Sequence, residues 1–249
     1  MSYKRRTFRF PNAIEVEEYH TARYGAPGQS RQKKQKATPE QMEKKNQRKK
    51  EDSCRRKLRN NFQVNDFYVT LTYAPEERPE DMAAAKKDFQ KLIRPLRKEY
   101  ASSGAKLKWI RNIEVGTRGG WHIHMVINRI PGTDILLQRL WKKGRVHYQL
   151  LHDKGEFRDL ATYLTKTPKT DPRLKEASYS TSRNLPVPDP EEKIVGSRTW
   201  RKKPYIPDGW YLDKASFYEG INPVTGYPGR RYTLLRIPVD GRKTYHQRC

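Results

Sequence analysis

Two histidines separated by one residue are the clearest sign of chemistry in this chain. His122 and His124 flank Ile123, and the apolar run Met125-Val126-Ile127 follows. Because side chains alternate between the faces of a β-strand, a strand here would present both imidazoles on one face. Two neighbouring neutral imidazoles can bind a divalent metal ion, which then needs a third ligand. Alone, such a pair is equally well explained as an incidental feature of a solvent-facing strand.

Glu114 is the candidate third ligand. It lies near the end of an apolar stretch, 108–115, and the glycine-containing segment Gly116–Gly120 leads from there to Trp121. Two strands joined in this way form a β-hairpin, which would bring the Glu114 carboxylate beside the histidine strand. The pairing register decides whether the carboxylate reaches the imidazoles, and the sequence does not fix that register.

A tyrosine and a lysine follow on a segment with helical periodicity. Apolar residues recur at helical spacing from 157 to about 167, before Pro168: Phe157, Leu160, Ala161 and Leu164. Tyr163 lies at the flank of this stripe, and Lys166 should face the same way three residues later. By itself, such a pair is usually an amphipathic aromatic residue beside a lysine whose charge stays in water.

Together with a metal, these residues predict phosphodiester chemistry. The cation would polarise the phosphate, and attack by Tyr163 would give a phosphotyrosyl intermediate and a free hydroxyl end. Lys166 could neutralise a phosphate oxygen, support the metal site or assist proton transfer. The residues themselves leave these three roles open.

The elements that must position these residues can be predicted from hydrophobic patterns. We predict strands at 66–73, 108–115, 121–128 and 145–151, a helix from Pro79 that Pro95 should disturb, and a helix after Thr133. His147, on the fourth strand, is interpreted as a structural or exposed residue rather than as a further ligand. Apolar patches at 210–212 and 232–237 suggest short strands.

Charge and composition indicate the partner. Lys and Arg outnumber Asp and Glu by 53 to 28, giving a net charge of +25, which favours nucleic acid over an acidic membrane surface. The chain contains no apolar run of membrane-spanning length, no signal-peptide core and no phosphate-binding P-loop. Its cysteines, Cys54 and Cys249, form no metal-binding or disulfide pattern. We therefore expect a soluble cytoplasmic protein without its own ATPase or helicase.

Composition divides the chain into a basic extension at 1–62, a central domain at 63–170 and a basic, Pro- and aromatic-rich extension at 171–249. Apolar content of 34% predicts a modest core with partly disordered arms. Thr38-Pro39 should start a charged helix over 39–60, which is either a solvated helix or an arm that contacts phosphates. The predicted DNA contacts are Lys44, Lys45, Arg48, Lys49, Arg55, Arg56, Arg118, Arg183, Arg201 and Lys202.

The order of these motifs resembles the HUH-endonuclease superfamily. Val69-Thr-Leu-Thr-Tyr73, then Glu114 with His122-Ile-His124, then Tyr163-Leu-Thr-Lys166 is similar to the three motifs of rolling-circle replication initiators from plasmids, prophages and single-stranded-DNA viruses. The segments Thr38–Met42 and Ser178–Leu185 resemble parts of prophage-type initiators from Gram-positive bacteria. The single tyrosine of the motif argues against a two-tyrosine mechanism.

This resemblance implies an α+β fold with a ferredoxin-like (RRM-like) core, namely an antiparallel sheet of about five strands with flanking helices. It implies Mg²⁺ or Mn²⁺ held by His122, His124 and Glu114, and origin DNA as a single strand or hairpin. It also implies a host helicase and DNA polymerase as partners, in the bacterial cytoplasm. The residue patterns themselves predict only four strands of that core.

Two other functions fit parts of the sequence. A single-tyrosine HUH transposase would use the same motifs, but such enzymes have little beyond the tyrosine helix. A non-catalytic protein that binds single-stranded nucleic acid could use aromatic residues interleaved with basic ones, as in Trp200-Arg201-Lys202-Lys203-Pro204-Tyr205. This binding protein would need no metal and form no covalent adduct.

Overall fold

The computed structural model describes residues 2–21, 38–116, 119–152, 156–166, 179–222 and 226–237. These residues form ten β-strands and four α-helices, which fall into two compact units: 1–39 together with 188–249, and 40–187. Each unit contains a five-stranded sheet in which all described pairings are antiparallel. The predicted α+β fold is confirmed. The unit 40–187 extends beyond both composition boundaries, near 62 and near 170.

The unit 40–187 contains the motifs. Its sheet has the order β6-β3-β5-β4-β7, with β3 at Phe67–Thr72, β4 at Trp109–Val115, β5 at Trp121–Ile127, β6 at Val146–Leu150 and β7 at Ser180–Thr181. The bounds of β3, β4, β5 and β6 agree with the sequence prediction to within one residue at each end. The fifth, β7, lies in a segment for which the sequence predicted no strand, and it pairs with Ile110 and Arg111 of β4.

One face of this sheet carries the larger hydrophobic core. Helix α2 (Met82–Ser102) and helix α3 (Thr133–Leu140) pack on it against alternate strand residues such as Val69, Ile113 and Ile123, all fully buried. Asp81 caps α2 by accepting a hydrogen bond from the backbone N–H of Ala84 (2.8 Å). The helix continues past Pro95 to Ser102.

The opposite face is packed against α1 (Pro39–Asn61) and α4 (Arg158–Thr165). Cys54 and Leu58, one helical turn apart on α1, are fully buried in the same cluster as Leu164 of α4. The Arg59 guanidinium donates to the carbonyl oxygen of Glu156 (2.9 Å). The charged helix is therefore packed into this unit by its C-terminal half, while its first half is exposed.

The other unit joins strands from both ends of the described chain. Its sheet has the order β8-β1-β2-β10-β9, with β1 at Tyr3–Arg9, β2 at Ala13–Tyr19, β8 at Glu191–Val195, β9 at Trp210–Ile221 and β10 at Pro228–Arg236. The patches at 210–212 and 232–237 lie at β9 and β10. The sequence did not predict β1, β2 or β8, because their charged residues hide the apolar alternation. Many of these charges pair between neighbouring strands, as buried Glu18 does with Arg5 and Arg230.

Within the described ranges, no helix combines the length and the apolar composition needed to cross a bilayer.

Leu58→Ala should test whether the charged helix belongs to the core. We expect the free energy of unfolding of the unit 40–187 to fall by about 2–5 kcal/mol, because the truncation leaves a cavity in a fully buried site. Urea unfolding followed by tryptophan fluorescence measures the change. Met42→Ala, on the exposed half of α1, is the matched control and should change stability by less than about 0.5 kcal/mol. Equal losses in both variants would contradict this packing.

Candidate metal and nucleophile site

The register between β4 and β5 places the carboxylate beside the histidines. Glu114 lies directly opposite His122, and Asn112 lies opposite His124. One ligand atom from each of Glu114, His122 and His124 lies within 4.8 Å of the others. The structure therefore confirms the predicted hairpin. It also gives the pairing register, which the sequence could not fix, and in this register the three candidate ligands converge.

The hairpin turn leaves space for the His122 imidazole. The backbone N–H of Gly116 donates to the carbonyl oxygen of Gly120 (2.8 Å), which closes the loop just beyond the site. A Cβ atom at Gly120 would lie 3.4 Å from Nε2 of His122. A side chain at this position would contact the imidazole at about van der Waals distance, so glycine leaves more room around the ligand nitrogen.

His124 is held from two sides. Its Nε2 lies 3.0 Å from Oε1 of Glu114, and its Nδ1 lies 2.8 Å from the Tyr68 hydroxyl and 3.1 Å from Oγ1 of Thr70. Without a metal ion, a hydrogen on Nε2 is donated to Glu114. With the hydrogen on Nδ1 instead, donated to Tyr68 or Thr70, the Nε2 lone pair is available to a metal. Tyr68 and Thr70 thus orient the ring. Sequence reasoning did not single out these two residues. The available signal was their spacing, because alternate residues on β3 share a face.

The electrostatics of the cluster suit metal binding. The hydrogen bond from His124 is the main reason that the pKa of Glu114 lies below its ordinary value, so this carboxylate ionises readily. Burial, followed by the neighbouring His124, lowers the pKa of His122. A lowered pKa keeps the His122 imidazole neutral to lower pH, and a neutral imidazole is the form that coordinates a cation.

Helix α4 brings the predicted nucleophile to the same atoms. The Tyr163 hydroxyl lies 3.0 Å from Oε1 of Glu114 and 3.0 Å from Nε2 of His124. Burial raises the pKa of Tyr163 far above its ordinary value, and the nearby Tyr68 and Glu114 raise it further. At neutral pH the phenol is therefore protonated and can donate a hydrogen bond to the carboxylate.

Lys166 lies just outside the helix from whose spacing its direction was predicted. Helix α4 ends at Thr165, two residues before the predicted end, and Lys166 follows it with non-helical backbone angles. Its backbone N–H donates to the carbonyl oxygen of Tyr163 (3.3 Å), and its side chain is exposed. The structure shows no contact between the Lys166 ammonium group and the three candidate ligands.

The predicted DNA contacts fall into separate groups. Four side chains are exposed on the first half of α1: Lys44, Lys45, Arg48 and Lys49. Further along α1, half-buried Arg55 forms an ion pair with Asp52 (2.9 Å), and Arg56 is also half-buried. Arg183 is exposed in the unit 40–187, and Arg201 and Lys202 are exposed in the other unit. Arg118 lies outside the described residues.

A protein-family model matches the part of the chain that contains the site. Residues 66–168 match the family model of the replication-associated protein ORF2. The predicted resemblance to replication initiators is thereby confirmed at the level of a replication-associated family. The matched segment extends from the start of β3 beyond α4 and contains all three candidate ligands and Tyr163. The comparisons with curated proteins and with solved structures found no match.

The donor set can hold a metal ion but does not identify it. Imidazole nitrogen suits several first-row divalent ions, whereas carboxylate oxygen also suits Mg²⁺ and Mn²⁺. His122, His124 and Glu114 would supply two nitrogens and one oxygen, fewer donors than a divalent ion takes, which would leave positions for water or a phosphate oxygen. The cluster therefore fits a catalytic ion better than a closed structural one.

Tyr163→Phe should increase the affinity for Mn²⁺, because the phenol hydroxyl competes with a cation for Glu114 Oε1 and His124 Nε2. Removing one such hydrogen bond of about 1 kcal/mol corresponds to about fivefold tighter binding. Isothermal titration calorimetry measures the dissociation constant. Tyr148→Phe, whose hydroxyl donates to the carbonyl oxygen of Asp134, is the control and should leave the affinity unchanged. Weaker binding to the Tyr163 variant would mean that the phenol supports the ion.

Proposed function

We propose that the protein is a rolling-circle DNA replication initiator of the HUH-endonuclease type that nicks single-stranded origin DNA through Tyr163. The observation that carries this proposal is the position of the Tyr163 hydroxyl, 3.0 Å from two of the three candidate metal ligands. A nucleophile must lie beside the group that activates the phosphate. The match of residues 66–168 to a replication-associated family supports the biological role.

In this mechanism His122, His124 and Glu114 hold Mg²⁺ or Mn²⁺, which supplies Lewis-acid stabilisation of the charge on the scissile phosphate. Tyr68 and Thr70 keep His124 oriented through its Nδ1. The uncharged phenol must lose its proton as it attacks. Because a cation would occupy Oε1 of Glu114, to which the phenol otherwise donates, water would accept this proton.

The covalent step exchanges one phosphate ester for another. The Tyr163 oxygen forms a bond to phosphorus while the bond from phosphorus to the 3′ oxygen breaks, giving a 5′-phosphotyrosyl linkage. The leaving oxygen takes a proton from water and becomes the 3′ hydroxyl that a host polymerase extends. Attack on the phosphotyrosine by a later 3′ hydroxyl rejoins the strand and restores Tyr163.

Lys166 is proposed to neutralise a phosphate oxygen of the bound strand. Its side chain is exposed and makes no contact with the three ligands, which favours this role over support of the metal site. The exposed lysines and arginines of α1 are proposed to hold flanking DNA through its phosphates. Because the sequence contains no P-loop, we propose that a host helicase separates the strands, in the cytoplasm of a bacterial host.

A covalent-adduct assay tests the nucleophile. Purified protein is incubated with Mn²⁺ and labelled single-stranded oligonucleotides that tile a candidate origin hairpin. We expect a cut strand and a protein–DNA adduct that survives denaturation, both lost in Tyr163→Phe because the attacking oxygen is absent. Tyr148→Phe, whose side chain packs on the opposite face of the sheet, should retain both products. An adduct that persists without the Tyr163 hydroxyl would assign the nucleophile elsewhere.

A second pair of variants tests the metal ligands. His122→Ala and His124→Ala should each abolish nicking and weaken Mn²⁺ binding, since each removes a ligand nitrogen. His152→Ala removes an exposed histidine outside the cluster and should preserve both properties. Single-strand binding without nicking in the unaltered protein, at any Mn²⁺ concentration, would favour the non-catalytic binding function instead.

A further inference from the structure

The helices cover only part of the sheet face that carries the site. Ile110 of β4 and Val126 of β5 are fully buried in the cluster formed with α1 and α4. On β3 and β6, the residues on the same face are polar and at least partly exposed: Tyr68, Thr70, Thr72, His147 and Gln149. A polar strip therefore lies beside the candidate ligands, and we call the part formed by Thr72, Arg145 and His147 the β6 strip.

The strand register sets the distance from the β6 strip to the metal ligands. Thr70 pairs with His124 on one side and with His147 on the other, so these three residues form one row across the sheet. Thr72 pairs with His122, and its backbone N–H donates to the carbonyl oxygen of Arg145 (2.9 Å). Since neighbouring strands lie about 4.8 Å apart, Thr72 lies one strand spacing from the histidine strand, and His147 on β6 lies about 10 Å from it.

Side-chain alternation shows which way His147 points. Its neighbours Val146 and Tyr148 pack against the large core on the opposite face, so His147 projects from the face that carries the site. Arg145 lies two residues before His147, and its backbone N–H donates to Oγ1 of Thr72 (3.0 Å), a side chain on the same face.

The backbone that carries Arg145 is held close to the end of β3. The indole N–H of Trp141 donates to the carbonyl oxygen of Thr72 (2.9 Å), and the Ala74 N–H donates to the carbonyl oxygen of Lys143 (2.8 Å). A Cβ atom at Gly144 would collide with the Thr72 backbone, so only glycine permits this approach. The position of Arg145 beside Thr72 is thus fixed before any ligand binds.

The charge of the strip suits a polyanion. Arg145 and His147 are both exposed, and neither forms an ion pair with a carboxylate in the part of the chain that the structure describes. Arg145 is a permanent cation with a planar set of donors that matches phosphate. Such a group beside a phosphate-activating site can hold the next part of the same strand.

We propose that Arg145 and His147 form a binding track for the phosphates of single-stranded DNA that flank the scissile phosphate. This inference deepens the proposed function and rests on it. The strand enters over β3 and β6, because α1 and α4 cover the β4 side of the face. The track positions the strand without ligating the metal or taking part in bond cleavage.

Fluorescence anisotropy of a labelled single-stranded oligonucleotide in EDTA tests the track without nicking. We expect Arg145→Ala/His147→Ala to weaken binding about tenfold at low salt, since it removes charged hydrogen bonds to phosphate, and to flatten the salt dependence. Arg97→Ala/His152→Ala, which also removes one exposed arginine and one exposed histidine, is the matched control and should bind like the unaltered protein. Arg145→Lys/His147→Lys should retain most of the affinity.

Kinetics then separate this proposal from the proposed function. In the nicking assay the alanine pair should raise KM for the oligonucleotide about tenfold, with kcat and the dissociation constant for Mn²⁺ unchanged. Unchanged binding and KM would overturn the track even if Tyr163 is the nucleophile. Weakened binding confined to the alanine pair would support the track even if the unaltered protein forms no adduct, in which case only the proposed function fails.

Discussion

The pairing register between β4 and β5 is the constraint on which the whole site depends. Ile113 and Ile123 are fully buried and lie opposite each other on one face of the hairpin. This apolar pair fixes the register, which places Glu114 opposite His122 on the other face. A slip of one residue would turn the carboxylate toward the hydrophobic core and a buried isoleucine toward the cation site. The large core thus holds the polar cluster in position, although it contains none of the candidate ligands.

The second constraint is the packing of α4 against the same sheet. Tyr163 reaches Glu114 because Ala161 and Leu164, its helical neighbours, are buried against the sheet and α1. Helix α1 is linked to the same helix end through Gln47, whose amide donates to Oγ1 of Thr165 (3.3 Å). The basic helix and the nucleophile helix therefore form one layer. DNA held by the exposed half of α1 would lie at a defined distance from the tyrosine.

The sequence could predict those parts of the fold whose signals are local. Alternating apolar residues predicted β3 to β6, and the motif spacing singled out His122, His124 and Tyr163, which the structure brings together. It could not predict β7, because two residues carry no periodicity and their pairing depends on distant β4. The charged strands of the other unit were missed because their ion pairs, such as Arg230–Glu18, form between segments far apart in the chain. The contacts of Tyr68 and Thr70 with His124 could not be predicted either, because they depend on how β3 pairs with β5, about 50 residues further along the chain.

The environment of Tyr163 imposes an order of events on the proposed reaction. Its phenol is protonated at neutral pH, and partial burial raises its pKa further, so the group is a poor nucleophile while it donates to Glu114. The same hydrogen bonds occupy two of the three atoms that would hold a cation. Activation must therefore come from what binds at the site, through positive charge beside the phenol oxygen and an electrophilic phosphate in front of it. In the proposed reaction, a tyrosine in this setting would be protected from the wrong partner, because its reactive form would arise only with metal and strand both in place.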